Sequence, residues 1–163
     1  VNESHVNIQK VSKIAIMMER YPNDNINTLN EFKKVFHDLV SYFSFLHTMN
    51  IAHCDIKPNN LLYSSKDQTI RVIDFGLATY FSENEMFNER VGTDGFMAPE
   101  VDRRKWHRKD LADIYSLGRT LEYYFNRIQF KNENENENEN QKKERNHMKK
   151  VIKQMCSDNP CDR

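Results

Sequence analysis

The chain has 163 residues, with 24 Lys and Arg balanced by 24 Asp and Glu, so it holds material for one domain core and carries no net field that would draw it to nucleic acid or an anionic membrane. No apolar run approaches the ~20 residues of a membrane helix and no signal peptide precedes the first structured segment, which points to a soluble intracellular protein, cytoplasmic or nuclear. Three cysteines, Cys54, Cys156 and Cys161, are an odd number that suits a reducing compartment, and Cys156 and Cys161 lack the companions of a four-ligand zinc site.

In chain order, His5-Val6-Asn7-Ile8 followed by Ile14-Ala15-Ile16-Met17-Met18 reads as a loop feeding an apolar strand that ends at a turn around Pro22. Thr28-Leu29-Asn30-Glu31 has the form of a capping box, so a helix starts there. Phe32, Val35, Phe36, Leu39, Val40, Phe43 and Leu46 recur at three- and four-residue steps and give that helix a core-facing stripe through about Met49. His47, on the same helix, is expected to be a hydrogen-bonded packing residue rather than a ligand.

His53-Cys54-Asp55-Ile56-Lys57-Pro58-Asn59-Asn60 places Asp55 and Asn60 on either side of a proline, in a loop that folds back on itself. Leu61-Leu62-Tyr63, a polar turn over 64–68 and Thr69-Ile70-Arg71-Val72-Ile73 then form a hairpin that returns Asp74 to the neighbourhood of Asn60. Two carboxylates, one amide and one lysine at this spacing can hold a metal-bound phosphate chain and aim a hydroxyl at it. Singly, such Asp and Asn residues are ordinary turn caps; the ordered set outweighs that reading.

The stretch from Thr79 to Asn88 is polar and short of hydrophobic anchors, so a mobile loop is expected. Asp113-Ile114-Tyr115-Ser116-Leu117-Gly118 begins a helix running to about Phe125. Asn132 to Asn140 alternates Asn and Glu with no apolar residue, which predicts a disordered acidic insertion over 132–141. Order is expected to resume at about His147, where Met148, Val151, Ile152 and Met155 form a helical stripe.

The succession His53, Asp55, Asn60, then Asp74-Phe75-Gly76, then Ala98-Pro99-Glu100 resembles the H-R-D-x-x-x-x-N, D-F-G and A-P-E motifs of eukaryotic protein kinases. The resemblance implies an α+β, kinase-like fold represented mainly by its helical C-terminal lobe: 1–18 as the end of the small lobe, 19–22 as the hinge and 23–163 as the large lobe. It implies ATP and Mg²⁺ as cofactors and a protein Ser or Thr hydroxyl as acceptor. Asp55 would accept a hydrogen bond from that hydroxyl, Lys57 would reach the transferring phosphate, and Asn60 and Asp74 would ligate Mg²⁺ through oxygen. Backbone groups of Glu19 and Tyr21 would bond the adenine edge, Met18 would lie beside it, and Leu62 would form its floor. Thr93, in Gly92-Thr93-Asp94-Gly95-Phe96-Met97, would bond Asp55 and Lys57 in the wall that receives substrate. Both Lys57 and Thr93 favour the Ser/Thr class.

His53 would pack on Phe75, Asp113 would cap the loop backbone, and Arg163 would pair with Glu100. Cys54 departs from the pattern, since family members switched by phosphorylation carry Arg there and a thiol cannot grip a phosphate. No glycine-rich loop, strand lysine or paired helix glutamate occurs, and a complete kinase domain needs a longer chain, so this is read as a fragment that is inactive by itself. The alternative is a non-catalytic kinase-like interaction module. A small-molecule phosphotransferase is disfavoured by Ala98-Pro99-Glu100 and Thr93.

Overall fold

The computed structural model describes residues 20–82, 84–128 and 139–163. The expected strand at 14–18, Met18 and Glu19 of the expected adenine site and residues 132–138 of the expected insertion lie outside them. Helix α1 spans Leu29–Thr48 and starts where its capping box sets it: Thr28 Oγ1 accepts from Glu31 N at 3.2 Å, and Glu31 Oε2 accepts from Thr28 N at 3.0 Å. Its buried stripe is Leu29, Phe32, Val35, Phe36, Leu39, Phe43 and Leu46. Val40, expected in that stripe, is instead 37% exposed at its edge.

After α1, Asn50 turns the chain with φ 57° into β1, Ile51–Ala52. A 3₁₀ turn at Pro58–Asn60 leads into β2, Leu61–Ser64, which pairs antiparallel with β3, Thr69–Val72, in the register Leu61 to Val72 and Leu62 to Arg71. Leu61 and Tyr63 face the core while Leu62 turns to the other side, as strand alternation requires. Strand β4, Thr79–Tyr80, pairs antiparallel with β1, and Phe87 exchanges backbone hydrogen bonds of 2.8 Å with His107. The stretch expected to be mobile is thus pinned at both ends. Two-residue strands have no periodicity to betray them.

Helix α2, Pro99–Asp102, opens on proline, whose missing N–H costs nothing in a first turn. Helix α3 runs Lys109–Arg127, beginning upstream of the expected Asp113, and helix α4 runs Glu139–Met155, beginning well before His147. The core lies between α1, α3, α4 and the hairpin: Leu117, Leu121 and Phe125 of α3 and Met148 and Ile152 of α4 meet the α1 stripe, with Phe32 and Phe125 edge-on at 5.4 Å. Where α3 passes the end of α4 the backbones are close; a Cβ on Gly118 would lie 2.7 Å from Met155 Cβ and 2.9 Å from Cys156 Sγ. Among the described residues no helix is long and apolar enough to cross a membrane.

Candidate active site

The loop between β1 and β2 takes its shape from a carboxylate on α3. Asp113, 2% exposed, accepts from His53 N at 2.7 Å with Oδ2 and from Cys54 N at 2.9 Å with Oδ1. Its Oδ2 also lies 3.1 Å from His47 Nε2, which gives the α1 histidine the structural role expected of it. These contacts hold Cys54 in the left-handed region, φ 65°, a conformation that costs a non-glycine residue energy and that only fixed partners maintain. Burial first, and then the neighbouring Asp113 charge, push the Cys54 thiol up to about 12, so it stays protonated and is no nucleophile.

His53 is fully buried. Its Nδ1 accepts from Asp55 N at 3.2 Å, which leaves Nε2 to donate to Ile73 O at 3.2 Å, and its ring meets that of Phe75 at 4.9 Å. One imidazole therefore ties the loop to the segment after the hairpin. Ile73 N also donates to Asn60 O at 2.9 Å, and so Asp74 enters beside Asn60 through the backbone.

Four predicted residues form one network. Asp55, 8% exposed, accepts from Thr93 Oγ1 at 2.6 Å on Oδ1, and from Lys57 Nζ at 2.7 Å and Asn60 Nδ2 at 3.2 Å on Oδ2. Lys57 Nζ donates at the same time to Thr93 Oγ1 at 2.8 Å, and Asn60 Nδ2 to Asp55 O at 2.9 Å. Burial raises the Asp55 carboxyl, but the hydrogen bonds from Lys57, Thr93 and Asn60 and the lysine charge outweigh it, and the net shift is downward. The group stays an acceptor at neutral pH. Gly92 allows the Thr93 segment to come this close: its φ is 118°, and a Cβ there would meet Cys54 O at 3.0 Å.

Asp74 is exposed, with φ 61°, and its Oδ1 accepts from Gly76 N at 3.2 Å. Among the described residues no three His, Cys, Asp or Glu side chains cluster to hold a metal. Mg²⁺ takes one or two protein oxygens and completes its shell with water and substrate phosphate, so a site for it does not require such a cluster. With its nitrogen committed to Asp55, the Asn60 amide has its oxygen left for such an ion.

Of the residues expected around adenine, Met18 and Glu19 are outside the described residues. Tyr21 lies on the hairpin: its hydroxyl meets Thr69 Oγ1, and the Arg71 guanidinium sits 4.1 Å over its ring. Leu62, half-buried, is the register partner of Arg71 and shares its face. Glu100, near the start of α2, accepts from Arg163 at 2.5 and 2.9 Å, as the resemblance implied; the Arg163 side chain is 0% exposed and also donates to Leu111 O and Ser157 O.

Sequence reasoning missed one group. Lys109, 7% exposed, places Nζ 3.9 Å over the Phe87 ring and 3.3 Å from Glu89, fastening the segment before Thr93 to the start of α3. The sequence carried no signal for this contact, since no side-chain cap marks the start of α3 and the ring partner lies far upstream.

The sequence model of the family described as "Protein kinase domain" matches residues 5–163. Among curated relatives, CDPK-related kinase 1 of Arabidopsis thaliana is 37% identical over 91 residues, which is 55% of this chain and 16% of the relative. Calcium/calmodulin-dependent serine/threonine-protein kinase 1 of Oryza sativa subsp. japonica is 40% identical over 88 residues, 53% of this chain and 14% of the relative. The matched stretch thus spans about a sixth or less of the length of these relatives.

Proposed function

Because the chain belongs to the protein kinase domain family, we propose that it supplies the catalytic loop of an ATP- and Mg²⁺-dependent kinase acting on Ser and Thr hydroxyls of proteins. The observation that carries this reading is the Asp55, Lys57, Asn60 and Thr93 network, closed by hydrogen bonds of 2.6–3.2 Å. The name of the rice relative, a serine/threonine-protein kinase, supports the acceptor class.

In this mechanism Asp55 takes a hydrogen bond from the incoming hydroxyl and aims its oxygen at the phosphorus. A weak base suffices, since the transition state is loose and the proton leaves late. Lys57, anchored on Asp55 and Thr93, places its positive charge where the phosphoryl oxygens gather charge. Thr93 fixes both partners by donating to the carboxylate while accepting from the ammonium. Asn60 Oδ1 and an Asp74 carboxylate oxygen would hold Mg²⁺, which neutralises phosphate charge when bound. Asn60 couples the two tasks, because its nitrogen orients Asp55. The hairpin face carrying Leu62 is assigned to adenine, and 19–22 to the hinge.

The test is phosphate incorporation into a Ser peptide by the full-length protein. Asp55→Asn and Asp74→Asn each lower the rate by about 10²- to 10⁴-fold, the usual worth of a positioned acid–base or charge-stabilising group. Wild-type activity in both variants would remove the kinase reading and promote a non-catalytic interaction module.

A further inference from the structure

The turn that leaves α2 places an aromatic ring and three cations in the open. Arg103, Arg104, Lys105 and Trp106 are consecutive and exposed, and Trp106, the chain's single tryptophan, is 66% exposed. The backbone beneath them is fixed. Lys105 N donates to Glu100 O at 2.8 Å and Arg104 N to Val101 O at 3.0 Å, the pair of bonds that closes a helix C-terminus, and His107 exchanges two bonds of 2.8 Å with Phe87. Arg104 occupies the left-handed position of that stop, with φ 51°. Glycine suits this position best, and any side chain held there lowers stability. An arginine in a glycine's place, on a rigid turn, points to a use for its side chain.

The nearby carboxylates are engaged elsewhere. Asp102 accepts from Arg90 at 2.9 and 3.0 Å, Asp94 from Arg90 at 2.5 Å and Asp110 from Arg108 at 2.6 and 3.1 Å, while Glu89 lies 3.3 Å from Lys109. Arg103, Arg104 and Lys105 make no ion pair with a described residue. Even with every carboxylate charged the balance is positive: over residues 89–110 six Arg and Lys stand against five Asp and Glu, and one of the five, Glu100, is matched by Arg163. The surplus sits on the turn. Strand alternation about the bridged pair Phe87 and His107 brings Met86, 46% exposed, out on the same side as Trp106.

Trp and Arg carry much of the binding energy of protein interfaces, because the ring buries a large apolar area and the guanidinium fork holds a carboxylate with two parallel bonds. We propose that this turn is a docking site for an acidic segment of a partner protein. An apolar side chain covers Trp106 and Met86, and flanking Asp or Glu carboxylates meet Arg103, Arg104 and Lys105. A fixed turn loses little freedom on binding. A nucleic acid strand, with one phosphate every ~3.4 Å, would run on from the turn to Asp94, Asp102 and Asp110 and be repelled there. The site does not rest on the proposed phosphoryl transfer.

Trp106 reports its own occupancy, as no other tryptophan contributes to the fluorescence. The 163-residue chain is titrated with a peptide that carries a central Leu between two pairs of Glu, with its Gln-for-Glu, Lys-for-Glu and Ala-for-Leu versions, and with single-stranded oligothymidine. The Glu peptide shifts the emission to the blue and binds about tenfold tighter than the Gln peptide, the sum of a few exposed ion pairs, and added salt narrows the gap. The Lys and Ala versions bind more weakly than the Glu peptide. Arg104→Gly weakens the Glu peptide by about threefold while the melting temperature holds or rises, a combination that a merely structural residue would not give. Arg103→Glu with Lys105→Glu transfers the preference to the Lys peptide. With a labelled Glu peptide followed by anisotropy, Trp106→Ala loses about tenfold. Equal binding of the Glu and Gln peptides, tighter binding of oligothymidine, unchanged affinity in Arg104→Gly or Trp106→Ala, or no spectral change with any peptide overturns the assignment.

Discussion

The pair between Arg163 and Glu100 offers a quantitative test of what holds the described helices together. Arg163→Met removes a guanidinium whose side chain is 0% exposed and leaves Glu100, at 8%, as a buried carboxylate without its cation. It also strips Leu111 O and Ser157 O of a donor. Breaking a buried pair from one side costs about 3–5 kcal/mol, and at ~2–4 °C per kcal/mol for a chain of this size the melting temperature falls by about 10 °C. Glu100→Gln is milder, since its amide oxygen still accepts one hydrogen bond from the arginine. The double variant Glu100→Leu with Arg163→Met leaves no stranded charge and recovers part of the loss, giving a coupling of about 1–3 kcal/mol in a double-mutant cycle. Urea denaturation of the wild type, the single variants Glu100→Leu and Arg163→Met and the double variant supplies the numbers. A loss below about 1 kcal/mol for Arg163→Met, or strictly additive singles, would refute the argument.

Other outcomes follow from the same packing. Burial holds the thiols of Cys54 and Cys156 and the phenol of Tyr124 at about 12, 11 and 12; the unfolded chain ionises them near ~8.5 and ~10. Protonation is thus favoured in the fold, so stability is fully present below about pH 8.5 and declines as pH rises toward 11, by up to about 1.4 kcal/mol per pH unit per group. Urea midpoints at pH 8 and pH 10, compared with those of Cys54→Ser with Cys156→Ser, check the sign. Gly118→Ala, which adds a methyl 2.7 Å from Met155 Cβ, destabilises by about 1–3 kcal/mol despite a helix-propensity gain of about 1 kcal/mol; a higher melting temperature would contradict the close approach of α3 and α4. With a thiol at Cys54 and the segment before Thr93 already fastened by Lys109 and Glu89, phosphatase treatment or Ser82→Ala changes the activity of the full-length protein by less than about tenfold, ~1.4 kcal/mol of transition-state stabilisation.

Much of this architecture could be read from residues because it is governed by local rules. The capping box starts α1, apolar spacing selects its buried face, and the polar turn fixes the register of β2 and β3. The Asp55, Lys57, Asn60 and Thr93 network was legible for another reason, since its chemistry constrains residue types in order. Where local signals were lacking, expectation and structure parted. Helix α3 begins at Lys109 with Arg108 as an N-cap that makes no side-chain cap bond, so nothing in the sequence marked its start. Helix α4 begins within the Asn and Glu run because Glu139 onward is rich in helix-forming residues and Glu144 pairs with Lys33 of α1. The pairing of β1 with β4, the covering of Tyr21 by Arg71 and the contact of Lys109 with Phe87 join residues far apart in sequence, and periodicity carries no information on such partners.

The hydrogen bonds from His53 and Cys54 to Asp113 set a timetable for synthesis. Their donors and acceptor are separated by 60 and 59 residues, and closing a loop of that length costs about 4 kcal/mol of chain entropy. The left-handed backbone at Cys54 adds about 1–3 kcal/mol. Neither is offset until α3 docks. A ribosome that has released α1 and the hairpin has therefore released a chain whose Asp55 is present but not yet aimed. Only after Asp113 has emerged and α3 has found the core does the loop take its final form, so the placement of Asp55 waits on a helix encoded well downstream of it.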